Sequence, residues 1–227
     1  METSPPNARY ERKFIADGFA LPEVLALVRR HGAVFREAFP PRIVNNLYLD
    51  SPDLRDYRDH INGVARRSKT RVRWYGVGND ATASPVLERK LKYGLVSAKV
   101  SYPLPTMKAA VAGSALPELF DCADLPPLTR SSLRHQLPCL FNRYRRHYFQ
   151  TADARFRVTV DSNLQFADAS RNHGSQPYFG PPAPTLVLEL KFGLADADAA
   201  SMVTNALPFR LSRCSKYVLG LNRLAGC

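Results

Sequence analysis

Cysteine is sparse and placed where it can staple nothing. Cys122, Cys139, Cys214 and Cys227 are scattered, with no C-x-x-C pair, so neither a zinc ribbon nor a disulfide framework is indicated. Glycine-rich phosphate loops are missing as well. Neither G-x-x-x-x-G-K-[ST] nor G-x-G-x-x-G occurs, which excludes a nucleotide held by a P-loop or a Rossmann turn. There is no H-R-D or D-F-G set of a protein kinase, and no Ser-His-Asp or Cys-His constellation can be assembled. No apolar run approaches the roughly 18 residues of a membrane span, and the polar N-terminus has no signal-peptide pattern. The chain reads as cytoplasmic, reaching a membrane only through a partner.

Acidic residues are also in short supply. Against 32 Lys and Arg stand 20 Asp and Glu, a formal net charge of +12, and the pI is about 9.8. An anionic partner is the expectation: nucleic acid, acidic membrane or polyphosphate. The basic residues are not gathered into a tail; they are spread along strand-like segments, which argues against a disordered basic arm. At 227 residues and 45% hydrophobic content the chain can bury one sizeable core. Residues 1–8 read as a loose leader and 9–227 as a single domain.

What is present is an alternation with period two. Side chains of a strand point to opposite faces in turn, so Lys69, Arg71 and Arg73 share one face and Val72 and Trp74 the other. In the next run Glu88, Lys90 and Lys92 share a face while Leu87, Leu91 and Tyr93 oppose them. The pattern recurs with Arg9, Glu11 and Lys13, with Arg157, Thr159 and Asp161, with Glu189 and Lys191, and with Lys99 in V-S-A-K-V-S. Ordinary solvated faces mix Thr, Ser, Gln and both charges; here Lys and Arg dominate, with single carboxylates among them. Either the cations coat the outside of a sheet, or the sheet closes around them with helices covering the apolar exterior.

The spacing predicts strands over 9–17, 42–50, 68–76, 86–94, 96–104, 140–151, 155–164, 185–192 and 209–213. It predicts helices over 21–31, 53–62, 195–206 and 216–224, with short helical pieces within 106–129 and a turn over 131–137. Residues 76–84 and 169–184 read as loops. Short strands with helices inserted irregularly favour an antiparallel α+β domain over a doubly wound one, and closing such a sheet into a barrel would remove its edges.

The candidate chemistry rests on cations and sparse carboxylates. Arg binds phosphate oxygens in pairs and Lys acts as a point charge; Arg9, Lys69, Lys92 and Lys99 stand among the alternating cations. His147 lies in a basic strand as a further donor to an anion. Divalent Mg²⁺ or Mn²⁺ needs carboxylate oxygens and shares the substrate's phosphates. Glu11, Glu88, Asp161 and Glu189 are the candidates; the first three serve equally well as neutralising ion-pair partners, while Glu189, in E-L-K at the centre of an apolar strand, favours the metal role. Trp74 and most strand aromatics fall opposite the cations, which argues against nucleic acid.

The strings Y-E-R-K-F at 10–14, R-V-R-W-Y-G at 71–76, L-E-R-K at 87–90, R-Y-R-R-H-Y-F-Q at 143–150, R-V-T-V-D at 157–161, L-E-L-K-F at 188–192 and S-K-Y at 215–217 together resemble the VTC domain. That domain is the polyphosphate polymerase module of the vacuolar transporter chaperone family, within the triphosphate tunnel metalloenzymes. The resemblance implies an antiparallel β-barrel forming a tunnel lined by Lys, Arg and Glu, and transfer of the γ-phosphoryl of ATP to polyphosphate with a divalent cation. It would make Lys13, Arg71, Arg73, Lys90, Arg146, Arg157, Lys191 and Lys216 the phosphate-binding set, Glu189 the metal ligand and Tyr144 a tunnel hydroxyl. Hydrolytic relatives carry an E-x-E-x-K strand; here its first position is Arg9, giving R-Y-E-R-K, a departure that favours transfer or binding over hydrolysis. A triphosphate hydrolase and a non-enzymatic polyphosphate binder stay open as alternatives.

Overall fold

The computed structural model describes residues 10–76, 82–94, 96–108, 116–170 and 177–226. Alternating segments form the strands β1 (Tyr10–Ile15), β2 (Arg36–Asp50), β3 (Arg66–Tyr75), β4 (Thr82–Ala83), β5 (Val86–Tyr93), β6 (Val96–Pro103), β7 (Met107–Lys108), β8 (Leu137–Gln150), β9 (Phe156–Asp168), β10 (Val187–Phe192) and β11 (Arg210–Leu211). Between them lie the helices α1 (Leu21–Arg30), α2 (Arg55–Ile61), α3 (Leu116–Asp121), α4 (Pro127–Leu133), α5 (Ala199–Asn205) and α6 (Lys216–Ala225). Nine strands make one antiparallel sheet in the order β11-β1-β10-β9-β8-β2-β3-β5-β6, and β4 pairs only with β7. The α+β reading holds.

The closed barrel does not. The nine-stranded ladder ends at β11 on one side and β6 on the other, and no register joins these edges among the described residues. The sheet is open. Its ends nevertheless approach through side chains: Lys90 on β5 donates to Glu11 on β1 at 2.6 Å. Six inter-strand steps in a flat sheet would hold those strands about 29 Å apart, so the sheet bends and makes its cation-bearing face concave.

Two long strands form the sheet's centre. β2 spans 15 residues, six more than the alternation over 42–50 predicts, because Pro40 and Pro41 fall at register shifts rather than ending the strand. β8 likewise begins at Leu137, not after Pro138. The expected helical turn over 131–137 shifts to α4, with Pro127 in its first turn, where a missing N–H costs nothing.

Behind the cationic face, Leu188, Leu190, Phe192, Val158 and Val160 pack against Val24 and Val28 of α1 and Val203 of α5. Glu23 holds the start of α1 by accepting from the Ala20 N–H at 2.6 Å. A second cluster sets Leu47, Val72, Trp74 and Leu87 against α3 and α4. Helix α6 is different: it packs on the same side as the cations, against Leu140, Leu164 and Phe166. A methyl group at Gly220 would come within 2.6 Å of both Leu140 Cδ2 and Phe166 Cδ1, so glycine is what lets α6 lie this close. The expectation of helices outside the cationic face therefore fails for α6. No helix among the described residues is long and apolar enough to cross a membrane.

Candidate functional site

Strand alternation delivers charged side chains to the concave face, and their carboxylates organise them into three groups. Around Glu88, 4% exposed, Arg71 donates twice, at 2.9 and 2.6 Å. Arg73 approaches at 3.3 Å and Lys99 at 2.9 Å. Around Glu11, Lys90 lies at 2.6 Å and Lys13 at 3.1 Å. The third group joins two carboxylates. Arg146 grips buried Asp161 with two bonds of 2.6 Å and comes within 3.5 Å of Glu189. Lys216, delivered by the first turn of α6, lies 2.5 Å from Asp161 and 3.1 Å from Glu189. Lys191 and Lys13 reach Glu189 at 3.2 and 3.8 Å, Lys13 thereby linking the second group to the third.

The electrostatics follow from this sharing. Burial alone would raise the Glu189 carboxyl, but Lys216, Lys191, Lys13 and Arg146 hold it well below the usual range. Glu88 is lowered against burial by Arg71 and Arg73, and Glu11 by Lys13 and Lys90. Burial pulls Lys13 down, yet Glu11 and Glu189 prevail and raise it to about 12. All four carboxylates are ionised at neutral pH.

Eight cations, Lys13, Arg71, Arg73, Lys90, Lys99, Arg146, Lys191 and Lys216, thus share four carboxylates. The excess is about the charge of one nucleoside triphosphate. Lys69 adds to it. It donates to Ser215 Oγ at 2.7 Å, and burial with Lys13 and Lys90 nearby depresses its ammonium well below the ordinary lysine range.

Not every expected residue joins. Arg9 lies outside the described residues. Arg157 pairs in register with Lys191 but is exposed at the rim, with no ion pair among the described residues. Lys92 contacts Ser97 at 3.5 Å. His147 projects opposite Arg146, away from the cations; burial and Arg145 lower its pKa. Its place in a basic strand was misleading, because the neighbouring residue in a strand faces the other way.

Tyr144 is on the expected side, its ring 5.2 Å from both the Arg146 guanidinium and the Lys216 ammonium. Arg146 and Arg73 lower its pKa against burial. Trp74 is buried behind the sheet as expected. The tyrosines correct the wider reading, since Tyr48 also stands among the cations, accepting from Arg71 at 3.2 Å.

Three residues were not foreseen: Tyr48, Asn46, which accepts from Arg73 at 3.2 Å, and Ser215. Ser215 Oγ accepts from Lys69 and from the Val218 N–H at 3.3 Å, tying β3 to the start of α6. The alternation in N-N-L-Y-L-D carried the signal for the first two, and the position before a helix carried it for Ser215.

Comparison with known proteins agrees with this geometry. The family model described as the VTC domain matches residues 8–225. No curated protein matches the chain. Similar folds include a Vibrio parahaemolyticus protein described as a candidate adenylate cyclase, 11% identical, covering 93% of this chain and 98% of that one with a TM-score of 0.52. Another is a candidate adenylyl cyclase from Hippeastrum described as having a dominant triphosphatase activity, 13% identical, with 95% of each chain covered and a TM-score of 0.51. At these identities the likeness is one of fold.

Proposed function

The chain belongs to the VTC domain family, and from that premise we propose that it is a polyphosphate polymerase, moving the γ-phosphoryl group of ATP to the end of a polyphosphate chain. The observation that carries the reading is the excess of paired cations over carboxylates on one bent face. Such a surface suits the phosphates of a nucleoside triphosphate.

Phosphoryl transfer asks little of the protein beyond alignment and charge stabilisation. The terminal phosphate oxygen of the acceptor chain forms a bond to the γ-phosphorus of ATP, the bond from that phosphorus to the β–γ bridging oxygen breaks, and ADP leaves. The attacking oxygen is already ionised, so no base has to remove a proton. Arg71, Arg73 and Arg146 would clamp phosphate oxygens in pairs, while Lys13, Lys90, Lys191 and Lys216 would neutralise charge as it moves to the leaving group.

The family implies a divalent cation, Mn²⁺ or Mg²⁺. Among the described residues no three His, Cys, Asp or Glu side chains converge as a metal cage. A cation that arrives with phosphate oxygens needs only one or two carboxylates. Glu189 and Glu11 fit that need: the Lys13 ammonium lies 3.1 Å from Glu11 Oε1 and 3.8 Å from Glu189 Oε1, so the two carboxylates face one shared cation position. These two residues would hold the ion, which would supply charge neutralisation on the bound phosphates.

A triphosphate hydrolase is the second reading, favoured by Glu11, whose Oε1 is held by the Lys13 ammonium and could orient a water once phosphate draws that lysine away, and by the described activity of the Hippeastrum neighbour. Incubation with ATP, Mn²⁺ and a short polyphosphate primer separates the readings. Lengthening chains with ADP release are expected. Free phosphate without longer chains would replace the polymerase with the hydrolase. Tight triphosphate binding without turnover would leave a polyphosphate-binding protein.

A further inference from the structure

A second charged cavity lies away from the concave face. It has a volume of about 420 Å³ and sits between the ends of β3 and β5, helix α2 and the segment after α4. Arg66 and Ser68 alternate with Arg67 and Lys69 on β3, and Arg89 alternates with Glu88 and Lys90 on β5. Arg66, Ser68 and Arg89 therefore project on the side opposite Lys69 and Lys90, while Arg67 and Lys92 share the side of Lys69 and Lys90 and line the cavity at the strand ends.

The cavity has unmet hydrogen-bonding capacity of both kinds. Arg67 Nε and Arg89 Nε are buried donors without partners, and Asp56 Oδ2 and Gln136 Oε1 are buried oxygens without partners. An unmatched buried group costs about 1–3 kcal/mol, so four such atoms among the residues lining one cavity mark it as a place where a polar molecule would be stabilised.

The charge balance favours an anion. Arg55, Arg66, Arg67, Arg89 and Lys92 face Asp50, Asp56 and Asp59. Asp50 is already spent inside the fold, accepting from the Tyr217 hydroxyl and from the N–H groups of Ser51, Asp56 and Tyr57. Burial and Asp50 raise the Asp56 carboxyl to about 6, which reduces the opposing negative charge further. The two unpaired guanidinium nitrogens call for anionic oxygens; the amide and carboxyl oxygens call for a hydroxyl or amine on the same molecule.

We propose that this cavity is a second ligand site, taking a small phosphomonoester that carries neighbouring hydroxyl groups. The phosphate meets Arg66, Arg67 and Arg89, and the hydroxyls meet Asp56 and Gln136. This site stands independently of the polymerase reading, because none of these residues belongs to the concave-face cluster.

Site-resolved amide hydrogen exchange on the full chain, with ribose 5-phosphate and with inorganic orthophosphate, tests it. The expected result is slowed exchange over 55–61 and 130–136, appearing at roughly tenfold lower concentration of ribose 5-phosphate than of orthophosphate. Arg89→Gln should weaken that protection at least about tenfold, the loss expected for one charge-assisted bond. Arg66→Gln, at an exposed position, gives the same readout should the first variant not fold. Protection confined to β1, β5 and β10, equal protection by sodium chloride at matched ionic strength, or protection unchanged in both variants would each overturn the proposal.

Discussion

Glu88→Gln separates a binding surface from a merely structural ion-pair network. The carboxylate is 4% exposed and joins two bonds from Arg71, one from Lys99 and one from Arg73. Breaking a buried charge pair costs about 3–5 kcal/mol. Gln keeps one acceptor oxygen, and Lys99 is half-exposed, where a pair is worth little, so the lower end applies. A loss of about 3 kcal/mol lowers Tm by roughly 6–12 °C in a chain of this size. The cost arises because Arg71 and Arg73 are left buried without a counter-charge. Inorganic triphosphate, added with a chelator so that no metal intervenes, supplies that counter-charge. In the unaltered protein it must compete with Glu88; in the variant it does not. Thermal unfolding with and without triphosphate should therefore show a larger ligand-induced rise in Tm for Glu88→Gln than for the parent, recovering most of the deficit. Equal rises in the two proteins, or a smaller one in the variant, would refute the assignment of Arg71 and Arg73 to phosphate binding.

Glu189→Gln should abolish divalent-metal stimulation of turnover while triphosphate still binds; metal-stimulated turnover that survives would place the ion elsewhere. Asp56→Asn bears on pH. With its folded pKa raised to about 6 from an ordinary 3.8, the folded state holds this proton more tightly, so the contribution is present below about pH 4 and lost as pH rises through 6. The variant should be more stable than the parent at pH 8 by about 1 kcal/mol once solvent screening is allowed for, with no gain at pH 4; denaturant titrations at the two pH values check this. Gly220→Ala sets a methyl group 2.6 Å from Leu140 and Phe166. Overpacking costs about 1–3 kcal/mol and better helix propensity returns about 1, so a net loss of about 1 kcal/mol is expected in chemical denaturation. Triphosphate affinity should fall with it, because α6 carries Lys216.

The faces of the strands were legible because alternation is a local property. Glu11 with Lys13, Arg71 with Arg73, Glu88 with Lys90 and Glu189 with Lys191 all share a side by arithmetic on residue number. Closure was not legible. It depends on whether β6 and β11 pair across the whole chain length, and β11 contributes only Arg210 and Leu211 to the edge, too short a strand to template a continuous ladder. The placement of α6 was equally hidden. Its periodicity shows that one side is apolar, but not which sheet face that side covers. The apolar patch it meets includes Leu164 and Phe166, which follow a bulge where β9 changes register against β8. That bulge carries their side chains to the cationic side, and counting residues from Asp161 cannot anticipate it. The missed tyrosine has a different cause: Tyr48 is buried, but its hydroxyl meets Arg71 on the cationic side, whereas Tyr144 stands where the resemblance placed it.

The pairing of every carboxylate with two or more cations bears on how such a face could release what it binds. A concave surface of Lys and Arg alone would carry a large self-repulsion and would hold a polyanion too firmly to let a chain advance. Asp161 shares Arg146 and Lys216, and Glu189 shares those two with Lys13 and Lys191. On the proposed reading, each incoming phosphate oxygen would replace part of a carboxylate's coordination rather than fill an empty site. The desolvation of the cations is already met in the folded state, which favours entry, while the neighbouring carboxylate remains ready to take the cation back, which favours exit. An exchange between two anions of similar strength at each position is a physical route by which a phosphate chain could step along the face without a single position holding it fast.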